Sequence, residues 1–191
     1  MSTLVIVLRA ISLLALAGPM LLGANRHPRG SRSRTRQDGG PRAPLAANFV
    51  AFGLFFPSLL IFSGGAPPGV ALGVALSGCL VALSGAAIVL RSRAALGPAW
   101  SLVPKADQDT GLVTTGPYRL VRHPIYLGLA LLAVGQALAF ASWPALAIAL
   151  AGIVPTFAWR ARAEESLLSR TFGERYAVYR RRTKMIIPHL L

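Results

Sequence analysis

Apolar residues in this chain fall into long uninterrupted blocks separated by short basic stretches, a pattern of buried or lipid-facing helices rather than of alternating strands. The first block covers 3–23 and is broken only by Arg9; the second covers 45–62 and the third 69–90. Each is close to the roughly 20 residues that an α-helix needs to cross a hydrocarbon core about 30 Å thick. Two shorter blocks follow at 125–140 and 144–159, with only Ala141, Ser142 and Trp143 between them. That spacing predicts a helical hairpin that enters the bilayer and returns at once. The expected architecture is an all-α integral membrane protein of about five transmembrane helices with a cytoplasmic C-terminal helical segment. Its organisation divides into an N-terminal three-helix region at 1–90, carrying a basic loop at 24–44, and a second unit at 91–191 built on the hairpin 125–159. The first block is too long for the apolar core of a signal peptide and lacks a convincing cleavage site, so it is expected to stay in the mature protein.

Composition agrees with this class, since 54% of the 191 residues are hydrophobic and 14% charged. Charge then sets the orientation. Nineteen of the twenty Lys and Arg residues lie in three segments, 26–42, 91–122 and 160–184. With five spans these segments share one side, which the positive-inside rule makes cytoplasmic. Arg9 is the exception, expected to snorkel toward the outer headgroups. A bacterial inner membrane is the expected location. The net charge of +14 is explained by juxtamembrane attraction to anionic lipid at about 1 kcal/mol per residue. No soluble module long enough to carry a nucleic-acid motif accompanies it, so a nucleic-acid partner is not expected.

The polar inventory narrows the chemistry. All six acidic residues, Asp38, Asp107, Asp109, Glu164, Glu165 and Glu174, fall on the cytoplasmic side of this topology. No carboxylate or histidine lies in mid-span, which leaves a proton relay little to work with. The histidines at 27, 123 and 189 are scattered, and Cys79 is the single cysteine. Neither a disulfide nor a metal centre is expected.

Two polar clusters remain. Gly116-Pro-Tyr-Arg-Leu-Val-Arg-His-Pro-Ile-Tyr-Leu-Gly128 places Tyr118, His123 and Tyr126 at the mouth of an apolar helix. Pro117, Pro124 and Gly128 fix a bend there and permit close backbone approach. Taken singly, these tyrosines and arginines could be ordinary interfacial anchors. The second cluster starts as the last span ends, with Arg160 and Glu164 four apart on one helical face and Glu165 beside them. An exposed ion pair of that kind is worth little by itself. Both clusters lie at one membrane level and can meet across the base of the hairpin.

The pairing of Leu112-Val113-x-x-Gly116-Pro117-Tyr118-x-x-x-Arg122-His123-Pro124-x-Tyr126-x-Gly128 with Arg160-x-x-x-Glu164-Glu165 and Phe172-Gly173-Glu174-x-Tyr176-x-x-Tyr179 resembles the isoprenylcysteine carboxyl methyltransferases and the wider set of integral-membrane phospholipid methyltransferases. The resemblance covers roughly 97–188. It implies that S-adenosylmethionine is wrapped at the cytosolic membrane surface. By that resemblance Tyr118, His123, Pro124, Ile125 and Tyr126 line the cofactor, Glu164 closes it from the last helix, and Thr110, Gly111, Leu112 and Val113 add backbone contacts. Many relatives carry His where this chain has Thr110.

The residue types suit that ligand. A sulfonium cation, an amino-acid head and a ribose call for a carboxylate, hydrogen-bond donors and aromatic faces. Methyl transfer is an in-line displacement, so alignment and exclusion of water can supply much of the catalysis. A carboxylate acceptor is already ionised and needs only to be held, a task for the planar fork of Arg160. An amine acceptor must lose a proton, and His123 or Glu165 would then act as base. The expected function is methyl transfer to a lipid or prenylated carboxylate, with the membrane and a lipophilic acceptor as partners. Lipid amine N-methylation, a nicotinamide-dependent reductase of the membrane sterol type and a non-enzymatic membrane scaffold are the alternatives. The reductases share the Arg-His-Pro-x-Tyr-x-Gly run but favour Asn where Ile125 stands and an acid where Leu129 stands.

Overall fold

The computed structural model describes residues 3–24, 42–97 and 111–187, and Thr110 therefore lies outside the described residues. Every regular element among them is a helix. They are α1 (Thr3–Ala24), α2 (Arg42–Ile61), α3 (Pro68–Leu96), a 3-10 turn (Gly116–Arg119), α4 (Pro124–Ala139), α5 (Trp143–Ile148), a π-helical stretch (Ala149–Ile153), α6 (Val154–Phe172) and α7 (Glu174–Arg182). Among the described residues, three stretches are long and apolar enough to cross a membrane: Ala43–Ile61, Pro68–Leu96 and Trp143–Phe172. The apolar helices Thr3–Leu16 and Pro124–Ala139 are shorter. All-α architecture and membrane-spanning helices follow from these elements.

The hairpin is present, with its turn at Phe140–Ser142, where Ala141 takes φ 49°. Its second arm is longer than the sequence suggested. The 144–159 block does not end at Trp159, because α5, the π stretch and α6 form one continuous helix from Trp143 to Phe172, about 45 Å at 1.5 Å per residue. The apolar pattern stops at Trp159 while the helical geometry does not. Pro155 explains the π stretch: proline in a regular helix removes a hydrogen bond and collides with the carbonyl four residues back, and a widened turn just ahead of it relieves the clash. Beyond this turn Phe157, Ala161 and Glu165 lie one helical turn apart on the buried side. A polar residue is thereby carried on the core face.

Helices α3 and α4 pack backbone to backbone through four glycines. A Cβ built on Gly78 would stand 2.2 Å from the Ala139 amide nitrogen, and one on Gly135 would stand 2.4 Å from that of Ala82. Gly85 and Gly128 meet in the same way, each directed at the other's carbonyl at 2.6–2.7 Å. Small residues on α3 allow this close approach, and the partner they admit is α4 of the same chain.

At the hairpin tip, Gly64 and Gly65 donate to the carbonyls of Phe140 and Ala141 at 2.8 and 3.0 Å, and the Trp143 indole donates to Gly65 O at 3.2 Å. Arg9 belongs to this end. Its Nε and Nη2 each donate at 3.1 Å, to the carbonyls of Ala139 and Phe140, and its guanidinium lies 5.2 Å from the Phe140 ring centre. Arg9 caps α4 here, because the last carbonyls of α4 have no intrahelical donors and a cation complements that end of the helix dipole.

Candidate functional site

The opposite end of the bundle holds both polar clusters. Pro117 opens the 3-10 turn, Gly116 enters it with φ 60°, and Pro124 occupies the first turn of α4, where its missing N–H costs nothing. His123 is thus fixed just ahead of α4. A strap at 183–187 runs alongside the bend: Arg122 N donates to Lys184 O at 2.8 Å and His123 N to Met185 O at 2.9 Å. Val121 and Lys184 form a parallel bridge. Met185 and Ile186 pack into the core cluster that contains Tyr126, Phe157 and Phe55.

The two clusters meet. The Tyr126 hydroxyl donates to Glu164 Oε1, and Arg160 Nε reaches the same oxygen at 3.4 Å. His123 Nδ1 faces Glu164 Oε2 at 3.5 Å, and its Nε2 faces Glu165 Oε1 at 3.7 Å. Arg122 Nε donates to Glu165 Oε1 at 2.6 Å. The rings of His123 and Tyr126 stack at 5.7 Å and those of Tyr126 and Phe157 at 5.3 Å, an aromatic column running from the bend into the apolar bundle. The Arg160 guanidinium lies 5.6 Å from the Tyr126 ring centre.

Exposure grades the cluster. Side chains of Glu164 and Arg160 are each 19% exposed, against 5% for His123 and 10% for Glu165. A ligand arriving from outside meets Glu164 and Arg160, with His123 and Glu165 behind them. Tyr118 is buried, and its carbonyl accepts from the Tyr179 hydroxyl at 2.7 Å. Pro124 is buried in the turn, Ile125 is half-buried, Leu112 and Val113 are half-buried, and Gly111 is exposed at φ 71°. The structure thus draws His123, Tyr126, Arg160, Glu164 and Glu165 into one network, with Tyr118 at its margin and 111–113 on the approach to the bend. A cleft of about 420 Å³ lies elsewhere, on the outer side of α6 and α7, lined by Ser169, Gly173, Tyr176, Ala177, Arg180 and Arg181.

Electrostatics follow from this packing. Burial opposes charge on His123, but the carboxylates of Glu164 and Glu165 on its two nitrogens outweigh burial and hold its proton above the usual imidazole range. Burial, reinforced by Tyr179 and Glu164, pushes the Tyr118 phenol up, and burial foremost pushes Tyr179 up to about 12; both remain neutral hydroxyls near pH 7. A raised histidine pKa stabilises the fold fully below its unfolded value near 6.5, and that contribution disappears as pH climbs through the higher folded value. Thermal unfolding in detergent should therefore show stability falling as pH rises above about 6.5, with the slope reduced in His123→Asn. Equal slopes in the two proteins would remove His123 from this linkage.

Sequence reasoning quoted Arg122, Tyr176 and Tyr179 within the motif and assigned them no role, and it did not single out Thr183. Arg122 could have been found from its position, since a cation adjoining a buried histidine at a membrane boundary demands a partner. The strap carried one faint signal, the apolar Met185-Ile186-Ile187 directly after a basic run. Among the described residues no group of three or more His, Cys, Asp or Glu is placed to hold a metal ion.

A helical membrane protein with a histidine set between paired carboxylates at the base of a helical hairpin is the class these observations define. The chain matches the phospholipid methyltransferase family over residues 74–175, just over half its length, and it belongs to that family. It is 38% identical over 103 residues to the nickel-cobalt-cadmium resistance protein NccN of Alcaligenes xylosoxydans xylosoxydans, covering 51% of this chain and 46% of that one. It is 40% identical over 74 residues to protein-S-isoprenylcysteine O-methyltransferase A of Arabidopsis thaliana, covering 38% and 37% of the two chains. With the protein-S-isoprenylcysteine O-methyltransferase of Saccharomyces cerevisiae it shares 30% identity over 137 residues, 71% of this chain and 56% of the relative. The matches thus span about half or less of the length of most of these curated relatives.

Proposed function

We propose that the protein is an S-adenosylmethionine-dependent methyltransferase acting at the cytoplasmic face of a bacterial inner membrane on a lipid-borne or prenylated carboxylate. The observation that carries this reading is the single network formed by His123, Tyr126, Arg160, Glu164 and Glu165 inside the region that matches the family. Family membership favours methyl transfer over the reductase and scaffold readings.

The donor set fits the proposed cofactor. Glu164 presents a partly exposed carboxylate suited to ribose hydroxyls or an ammonium group, and Tyr126 and His123 present hydroxyl, imidazole and ring edges. Tyr118 and the backbone of 110–113 complete the proposed lining, with Pro124 and Ile125 shaping its membrane side. When bound, the cofactor supplies an electrophilic methyl group on a sulfonium. The protein's own residues orient and enclose. His123 holds the Glu164 carboxylate in place, the Tyr126 hydroxyl fixes one of its oxygens, and the aromatic column keeps water from the membrane side.

Arg160 is the proposed acceptor clamp, because its planar fork can grip a carboxylate while sharing Glu164. Glu165 was the alternative base for an amine acceptor. Its enclosure and its 2.6 Å bond to Arg122 make it a weak proton acceptor, which favours a substrate that arrives already ionised.

Five spans with the N-terminus outside place the base of the hairpin, the 24–44 loop and α7 in the cytoplasm. This orientation is supported by the positions of the basic residues. Cysteines introduced at Gly64 and Arg175 in a Cys79→Ser background test it: an impermeant thiol reagent added to spheroplasts should label the first and spare the second. Labelling of the second alone would invert the topology.

A further inference from the structure

Arg122 is a buried cation that the proposed chemistry does not use. Its side chain is 8% exposed and joins three parts of the chain. Nε donates to Glu165 Oε1 on α6 at 2.6 Å. Nη1 donates to Arg180 O at 3.2 Å in the last turn of α7 and also to Thr183 O just past it, at a helix end where a cation is favoured. Thr183 in turn donates its hydroxyl to Tyr179 O at 2.8 Å. The outermost part of the fold is thus wired to the carboxylate that faces His123.

We propose that Arg122 is a positioning residue that fixes Glu165, and through it the His123 ring, against the end of α7, so that the C-terminal strap sets the geometry of the cofactor-facing cluster. Three features carry the assignment. A surface ion pair would leave both partners solvated, whereas Arg122 and Glu165 are 8% and 10% exposed. A cation serving charge balance alone would need no carbonyl partners, yet Nη1 of the guanidinium donates to two carbonyls at the end of α7. The Nε and Nη1 bonds together tie α6 and the end of α7 to the residue next to His123. Glu165 Oε1 accepts from Arg122 Nε at 2.6 Å and stands 3.7 Å from His123 Nε2, ion-pair range but beyond hydrogen bonding, so the guanidinium's hold on that oxygen sets where the carboxylate charge stands relative to the imidazole.

Charged and titratable groups facing His123 are Glu164 and Glu165 from α6 and Tyr126 from α4, with Arg122 and Arg180 behind Glu165. Removing the Arg122 charge leaves His123 opposite two less-compensated carboxylates, so its proton should be held more tightly. Arg122→Gln keeps donors without charge, and Arg122→Lys keeps charge without the fork.

The role bears on methyl transfer only if the function proposed above holds, and the test separates the two. Full-length protein with labelled histidine is titrated by NMR in detergent, the His123 signal being assigned by its loss in His123→Asn, and S-adenosylmethionine binding is measured calorimetrically on the same samples. Arg122→Gln should raise the His123 midpoint by about one pH unit, the order expected for removing a nearby unit charge, and weaken cofactor binding about tenfold. Arg122→Lys should move the midpoint less and still weaken binding. In a Glu165→Gln background both effects of Arg122→Gln should largely vanish, since the coupling runs through that carboxylate. An unmoved His123 midpoint in folded Arg122→Gln, or an undiminished shift in the Glu165→Gln background, overturns the positioning role. A shifted midpoint in a protein whose wild type binds no S-adenosylmethionine upholds it and rejects the cofactor reading instead.

Discussion

Gly78→Ala and Gly135→Ala should each destabilise the protein by about 1–3 kcal/mol, the usual cost of forcing a methyl group into a packed interface. The upper end is expected, because the new Cβ atoms would lie 2.2 and 2.4 Å from backbone nitrogens and a backbone cannot rotate aside as a side chain can. Gly73→Ala on the same helix provides the control, since nothing lies within 4 Å of its Cβ position; it should be neutral or gain up to about 1 kcal/mol of helix propensity. Gly78 and Gly135 each point at the other's carbonyl, at 2.6 and 2.7 Å. Once one substitution has pushed α3 and α4 apart, the second should cost less than it does alone. Thermal unfolding of the four variants in one detergent is the measurement. Equal stabilities for the Gly73 and Gly135 variants would mean that α3 and α4 do not pack through these glycines.

Arg160→Lys should depress turnover on a prenylated carboxylate by more than about tenfold while changing S-adenosylmethionine affinity by less than about threefold. The charge survives in lysine, so attraction of an anion is retained; what goes is the planar pair of donors and the stacking over Tyr126. Glu164→Ala and His123→Ala should behave oppositely. Each is expected to weaken cofactor binding by at least about 1 kcal/mol, the scale for losing a hydrogen bond to a charged group. Equal losses of affinity and turnover in Arg160→Lys would move that residue into the cofactor site. Turnover on lipid amines that rises as the amine deprotonates would replace carboxylate methylation with base-assisted N-methylation.

Much of the fold is legible because lipid-facing and helix-packing residues share one requirement, apolarity over many turns. The hairpin at 125–159 was readable from three residues between two apolar blocks. What apolarity hides is where a helix ends: α6 runs on to Phe172, well past the apolar block that stops at Trp159, because helical hydrogen bonds do not depend on the side chains being apolar. The same pattern could not show that Arg9 caps α4, since capping depends on which carbonyls a fold brings within reach. At the site, spacing along α6 predicted the Arg160–Glu164 pair, and the shared membrane level predicted that it would meet His123. The strap was legible only through its apolar 185–187 run. Its two backbone bonds at 122–123 use no distinctive side chains, and although the position of Arg122 calls for a partner, nothing in the pattern names Thr183 and Glu165 as the groups that supply it.

The proposed function requires the hairpin base to hold S-adenosylmethionine for methyl transfer. Calorimetric titration of detergent-purified protein with S-adenosylmethionine tests it most directly, with NADPH as the competing ligand and Glu164→Ala as the paired variant. Saturable one-to-one binding of S-adenosylmethionine, weakened in folded Glu164→Ala and absent with NADPH, is the predicted result; a folded wild-type protein that binds NADPH and ignores S-adenosylmethionine would contradict the account.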